Sequence, residues 1–240
     1  MKLDKDTHKK IILKVLSDIS TDAFLVNSLG FKGGTACYFL YGLDRFSVDL
    51  DFDSLHQAND ELVKKRLLEL LQKYGNVKTK TSIKLKYSDQ YQALKIDLSF
   101  RHNINQRNSY EVRDIVSGVA LKVLRKEDIF AHKLIALTSR GSENAAENNV
   151  IANRDLYDIN FFFKKMWSFN EEIIQLHTNQ TMKEYLEYAI GFIDKNVNEM
   201  NILDRLGELV SDEKREWVQK NLKKAVMREL AIQAEAMREY

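Results

Sequence analysis

Between residues 5 and 19 the apolar side chains fall at Ile11, Ile12, Val15, Leu16 and Ile19, the three- and four-residue spacing that lines one face of a helix. The pattern then shortens. Leu29–Lys32 reads as a strand ending on the paired glycines Gly33 and Gly34, and residues 35–43 read as a short helix. Over 47–53 the period drops to two. Leu50 and Phe52 point one way, and Asp49, Asp51 and Asp53 point the other, as alternate residues of a strand must. Helical periodicity returns over 59–73 and stops at Gly75 and Asn76. Two alternating runs, VKTKTSIKLKY (77–87) and YQALKIDLSF (91–100), flank the polar turn Ser88, Asp89 and Gln90 and predict an antiparallel hairpin. A last strand is expected near 118–123.

From Lys126 onward the pattern is helical, interrupted by the loop-like GSENAAENN at 141–149. Proline is absent, so helix ends must be read from glycine, asparagine and capping residues. The expected architecture is α+β: a mixed-sheet N-terminal domain (1–124) and an all-helical domain (125–240) that completes the active-site cleft, with 141–149 near its mouth.

Composition narrows the compartment more than the activity. The chain has 240 residues, 44% hydrophobic and 30% charged, with a formal net charge of +2. That is enough length to bury a core, and too little charge to mark a nucleic-acid binder by itself. The single cysteine, Cys37, excludes an intramolecular disulfide and suits a reducing compartment, where it reads as a small core residue. The start, MKLDKDTHKK, is polar where a signal peptide is apolar, and no apolar run reaches the ~18 residues of a membrane span. A soluble cytoplasmic protein with no membrane partner is expected.

The chemistry concentrates between residues 31 and 100. Three carboxylates at alternate strand positions repel one another unless a cation neutralises them. Their hard oxygens suit Mg²⁺ or Mn²⁺ over zinc, although an acidic solvated edge strand has the same pattern. In LKIDLSF (94–100) the apolar residues alternate and leave Lys95, Asp97 and Ser99 on the other face. If that strand lies beside the first, Asp97 completes a three-carboxylate site with Asp49 and Asp51. Gly33 and Gly34 let backbone N–H groups approach phosphate oxygens, and the helix from Thr35 adds its positive end. Neither GxxxxGK[ST] nor GxGxxG is present, so the cradle is neither a P-loop nor a dinucleotide fingerprint. Farther on, Lys133 and Arg140 are two helical turns apart and share a face. Arg154 and Asp158 have i,i+4 ion-pair spacing, and Asp155, which cannot join that pair, is placed to orient Lys133 or a nucleotide.

KGGTAC (32–37) followed by RFSVDLDF (45–52) resembles the KGGTAL and RFSxDLDF motifs of the nucleotidyltransferase-like AbiEii/AbiGii toxin family, within the DNA-polymerase-β-like nucleotidyltransferase superfamily. Cys37 stands where that family usually has leucine, a change of packing rather than of chemistry. The resemblance spans roughly residues 31–160 and implies that Asp97 is the later strand carboxylate. It also implies that Lys133 is the helical lysine and that Arg154–Asp158 is an RDxxD segment. It implies a metal-dependent nucleotidyltransferase acting as the toxin of a toxin–antitoxin or abortive-infection system. Such an enzyme would have an NTP substrate, an RNA acceptor (tRNA ends among the candidates) and a cognate antitoxin.

On this reading Asp49, Asp51 and Asp97 hold Mg²⁺ or Mn²⁺, and Gly33, Gly34, Thr35, Ser47, Lys133, Arg140 and Asp158 bind the nucleotide. Asp49, Asp51, Asp97, Lys133 and Asp155 share the catalytic work. Two other readings use the same residues: a phosphotransferase moving the γ-phosphate, and a nucleotide-binding regulator without turnover. Late basic residues Lys214, Arg215, Lys220, Lys223, Lys224 and Arg228 are either a solvated helix face or an acceptor-binding surface.

Overall fold

A computed structural model describes residues 2–80, 82–103, 105–139 and 153–237. Arg140 and the 141–149 segment lie outside them. The chain forms two compact units, Met1–Arg125 and Lys126–Tyr240.

In the first unit, helix α1 (Lys5–Thr21) begins where Asp4 accepts the Thr7 N–H at 2.7 Å, a side-chain cap for one orphan donor. Its buried stripe is His8, Ile12, Val15, Leu16 and Ile19. Ile11 is only half-buried; His8, one turn before Ile12, takes the buried place because its ring finds polar partners inside. Helices α2 (Leu25–Ser28), α3 (Gly33–Leu40) and α4 (Asp60–Gln72) complete the helical part.

The strands are β1 (Leu29–Lys32), β2 (Asp49–Ser54), β3 (Asn76–Thr79), β4 (Ile83–Lys86), β5 (Leu94–Ser99), β6 (Tyr110–Val116) and β7 (Val119–Leu124). They form a seven-stranded mixed sheet in the order β3-β4-β5-β2-β1-β7-β6. Strand β2 pairs antiparallel with β1 and parallel with β5. Leu50 and Phe52 of β2 and Leu94 and Ile96 of β5 have no exposed surface, and each such burial stabilises by about 1.5–3 kcal/mol. Central placement of β2 follows from this: its apolar face needs cover, and its acidic face is left on the other side.

Three expectations change here. Residues 77–87 carry two strands rather than one, β3 and β4; β3 pairs antiparallel with β4, and β4 then pairs antiparallel with β5. Strand β2 starts at Asp49 rather than Ser47, since the Val48 carbonyl is taken by His8 Nε2 at 2.8 Å. Strand β6 has no counterpart in the sequence reading. It pairs antiparallel with β7 through a turn at Gly118, whose φ of +78° favours glycine.

The second unit is helical: α5 (Lys126–Ser139), α6 (Asn153–Lys164), α7 (Glu171–Thr178), α8 (Met182–Asn196) and α9 (Asp212–Ala236). Thr181 and Glu184 close α8 with a capping box, two orphan donors satisfied reciprocally. Every described residue of α6 from Asp155 to Phe163 is buried, and Phe130 of α5 packs edge-on against Phe162 and Phe163.

Candidate active site

Helix α3 starts at Gly33, two residues earlier than its periodicity suggests, with Lys32 at the N-cap and no side-chain cap. The amides of Gly33, Gly34 and Thr35 therefore make up its first turn, where N–H groups have no intrahelical acceptor. Gly33 has φ +78°, and a Cβ there would stand 2.2 Å from Asp51 Oδ2. A Cβ on Gly34 would stand 2.7 Å from Arg45 Nη2 and 3.1 Å from Ser47 Oγ. The two glycines are thus required by a close approach: the acidic strand face and the buried Arg45 press against the helix start.

The hydroxyls expected at the nucleotide turn inward. Thr35 and Ser47 are buried, their oxygens are 2.8 Å apart, and Thr35 also bonds the Asp49 carbonyl. They tie the first turn of α3 to the start of β2.

Strand register brings the carboxylates together. Asp51 is the Cα partner of Asp97, and Asp49 that of Lys95, on strands about 4.8 Å apart. Paired residues of parallel strands project to one side, so Asp49, Asp51 and Asp97 share a half-buried face. Asp97 Oδ2 accepts from Lys95 Nζ at 2.5 Å. Among the described residues no three His, Cys, Asp or Glu side chains converge closely enough to form a ready metal cage.

Asp53 has a different role from its two neighbours. It is 1% exposed, and Oδ1 accepts from Lys32 Nζ at 2.5 Å and Asn105 Nδ2 at 2.7 Å. Its Oδ2 accepts from Tyr110 Oη at 2.7 Å. Tyr110 reaches it by laying its ring over Gly30, where a Cβ would meet ring carbon at 2.2 Å. The alternation signals three equal aspartates; the fold uses the third as a buried anchor.

His8 supports the face from behind. It is fully buried, with Nε2 against the Val48 carbonyl at 2.8 Å and Nδ1 2.7 Å from Tyr87 Oη. A carbonyl only accepts, so Nε2 carries the proton. Burial pushes the imidazole below its ordinary value of 6.5, and the Val48 carbonyl and Asp49 carboxylate partly oppose that shift. Burial likewise pushes the Tyr87 hydroxyl up to about 12. A lone histidine in a polar N-terminal segment gives no sequence signal for this; its position one turn before Ile12 on the apolar stripe is the one clue available.

In the helical unit Lys133 of α5 meets two carboxylates of α6, Asp155 at 2.6 Å and Asp158 at 2.9 Å. The lysine is 14% exposed and the two aspartates are 2% and 0% exposed. Asp158, read from spacing as a partner of Arg154, is thus also held by Lys133, because positions three apart on α6 face one side. Of the late basic residues on α9, Lys220 pairs with Glu216 at 2.5 Å, Arg215 with Asp212 at 2.9 Å, and Lys223 with Asp194 at 3.5 Å. Much of that cluster is already neutralised by neighbours.

A glycine-led helix start pressed against carboxylates on the central strands of a mixed sheet defines a nucleotidyltransferase-like α+β protein. The chain belongs to the AbiEii nucleotidyltransferase toxin family, whose model, described as the nucleotidyl transferase AbiEii toxin of a type IV toxin–antitoxin system, matches residues 14–236. Among solved structures it is similar to JHP933 from Helicobacter pylori (19% identity, TM-score 0.51, 99% of each chain covered). It is also similar to a nucleotidyltransferase of H. pylori (20%, 0.52, 96% of this chain and 98% of that one). The nucleotidyltransferase toxin MenT4 of Mycobacterium tuberculosis aligns too (18%, 0.50, 95% and 82%). At these identities the structures speak to the fold. No curated protein gives a significant sequence match. Among the described residues no helix is long and apolar enough to cross a membrane.

Proposed function

We propose that the protein is a metal-dependent nucleotidyltransferase that moves a nucleoside monophosphate from an NTP to an RNA acceptor, with an antitoxin protein as its partner. The observation that carries this reading is the seating of the Asp51 carboxylate in the space left by the missing Gly33 side chain. It sets a metal-type ligand beside helix-start amides that have no intrahelical acceptor.

The donor set fits Mg²⁺ or Mn²⁺. Asp49, Asp51 and Asp97 offer hard oxygens on one face, and Gly33 keeps the space beside Asp51 clear. Bound there, the ion would neutralise triphosphate charge. The chain's own groups do the rest. Amides of Gly33 and Gly34 donate to phosphate oxygens. Thr35 and Ser47 fix the helix start against β2, so these donors need no rearrangement when charge develops. The acceptor hydroxyl oxygen forms a bond to the α-phosphorus as the bond to pyrophosphate breaks, and Asp97 takes the hydroxyl proton.

Incubation of the full chain with each α-labelled and γ-labelled NTP, total cellular RNA and Mg²⁺ tests the reading. Transfer of α-label to RNA is expected. Transfer of γ-label alone would make it a phosphotransferase, and binding without transfer of either label would make it a regulator.

A further inference from the structure

The carboxylate face carries its own cation. Lys95 lies on β5 as the register partner of Asp49 and two residues before Asp97, so its side chain emerges on the acidic side of the sheet. Its ammonium rests on Asp97 Oδ2 at 2.5 Å, and both side chains are 40% exposed. While it does so, Asp97 is engaged along its own strand rather than across to Asp51, consistent with the absence of a preformed three-donor group among the described residues.

We propose that Lys95 is a resident counterion of the site, displaced by the divalent cation when that cation binds. The inference rests on the reading of Asp49, Asp51 and Asp97 as the metal-holding residues. A single positive charge on a flexible four-carbon stem is suited to such a role, because it is strongly hydrated once it swings into water. A divalent ion touching several carboxylates gains more from them than one ammonium touching Asp97. The lysine therefore stabilises the metal-free protein and contributes little to the metal-bound one. Its removal raises the free energy of the first state alone, and the apparent metal affinity rises. Lys95 is a positioning residue here, since it acts through Asp97.

The test is Mn²⁺ titration of the full-length protein by calorimetry, comparing wild type, Lys95→Met, Lys95→Gln and Lys95→Arg, with melting curves taken in EDTA and in saturating Mn²⁺. Removal of the charge in Lys95→Met and Lys95→Gln is expected to tighten Mn²⁺ binding by about fivefold, the value of one partly exposed ion pair. Both variants should melt below wild type in EDTA and match it in Mn²⁺, whereas Lys95→Arg, which keeps the cation, stays near wild type in both measurements. Equal or weaker Mn²⁺ affinity in Lys95→Met and Lys95→Gln overturns the counterion role while leaving the metal site standing. Absence of Mn²⁺ binding in wild type and variants alike overturns the metal site and this role together.

Discussion

Two groups of carboxylates in this protein meet opposite fates. In the helical unit, Asp155 and Asp158 are withdrawn from water and share Lys133, which keeps only a small exposed part. On the sheet, Asp49, Asp51 and Asp97 stay half in water, with Lys95 covering Asp97 from the half-exposed side. Burial explains the contrast. Ionised groups out of water cost several kcal/mol each unless paired, so α5 and α6 had to supply the cation themselves. Groups left in contact with solvent keep part of their hydration, so their charge costs less to hold.

The contrast can be broken most sharply at Asp51. Asp51→Asn is expected to lower nucleotide transfer by about a thousandfold with the melting temperature changed far less, because asparagine keeps the shape of a side chain that is only half-buried. A folded, fully active Asp51→Asn protein in a label-transfer assay would remove the sheet face from the mechanism. Lys133→Met should do the reverse and strike the fold, leaving two carboxylates buried without this cation. A loss of about 3–5 kcal/mol in urea unfolding is expected, partly restored by adding Asp158→Asn; an unchanged urea midpoint would show that the pair is not structural.

Smaller effects sharpen the same comparison. Gly33→Ala forces a left-handed conformation on alanine, at about 1–2 kcal/mol, and drives its methyl group into Asp51. Activity should fall more than stability does, and equal losses in the two would detach the glycine from the carboxylate. The smallest effect belongs to His8. Its folded proton affinity is depressed by burial, so on acidification the unfolded chain takes up its proton first. The His8 contribution is fully present above about pH 6.5 and declines below it, by at most about 1.4 kcal/mol per unit. Chemical unfolding from pH 7.5 to 5 should show this slope, and His8→Phe should flatten it at that step; an identical slope would assign the acid sensitivity to other groups.

The parts of this molecule that were legible in sequence are those whose signal is local. Period two in Leu50 and Phe52, the paired glycines and the spacing of Leu94 and Ile96 each report a strand or a turn without knowledge of distant residues. The equivalence suggested for Asp53 was misleading, since Lys32, Asn105 and Tyr110 converge on it from distant parts of the chain. Strand β6 was missed for a related reason. Its Val112 and Val116 are exposed, so it lacks the clean apolar face that marks a strand. Lys133 and Asp158 were both flagged, but their direct pairing depends on how α5 packs on α6, which spacing within one helix cannot report.

The strand order also sets a timetable for synthesis. Asp49 and Asp51 lie between β1 and β5, and the far edge of β1 is filled by β7, which ends at Leu124. A ribosome adding about 5–20 residues per second needs roughly 4–14 s to pass from the end of β2 to the end of β7. Until then the acidic strand has only part of its sheet, and its pairings await contacts between distant chain segments, whose closure is slow. A nascent chain that already carries its aspartates therefore holds them in an unfinished sheet until most of the first unit has left the exit tunnel.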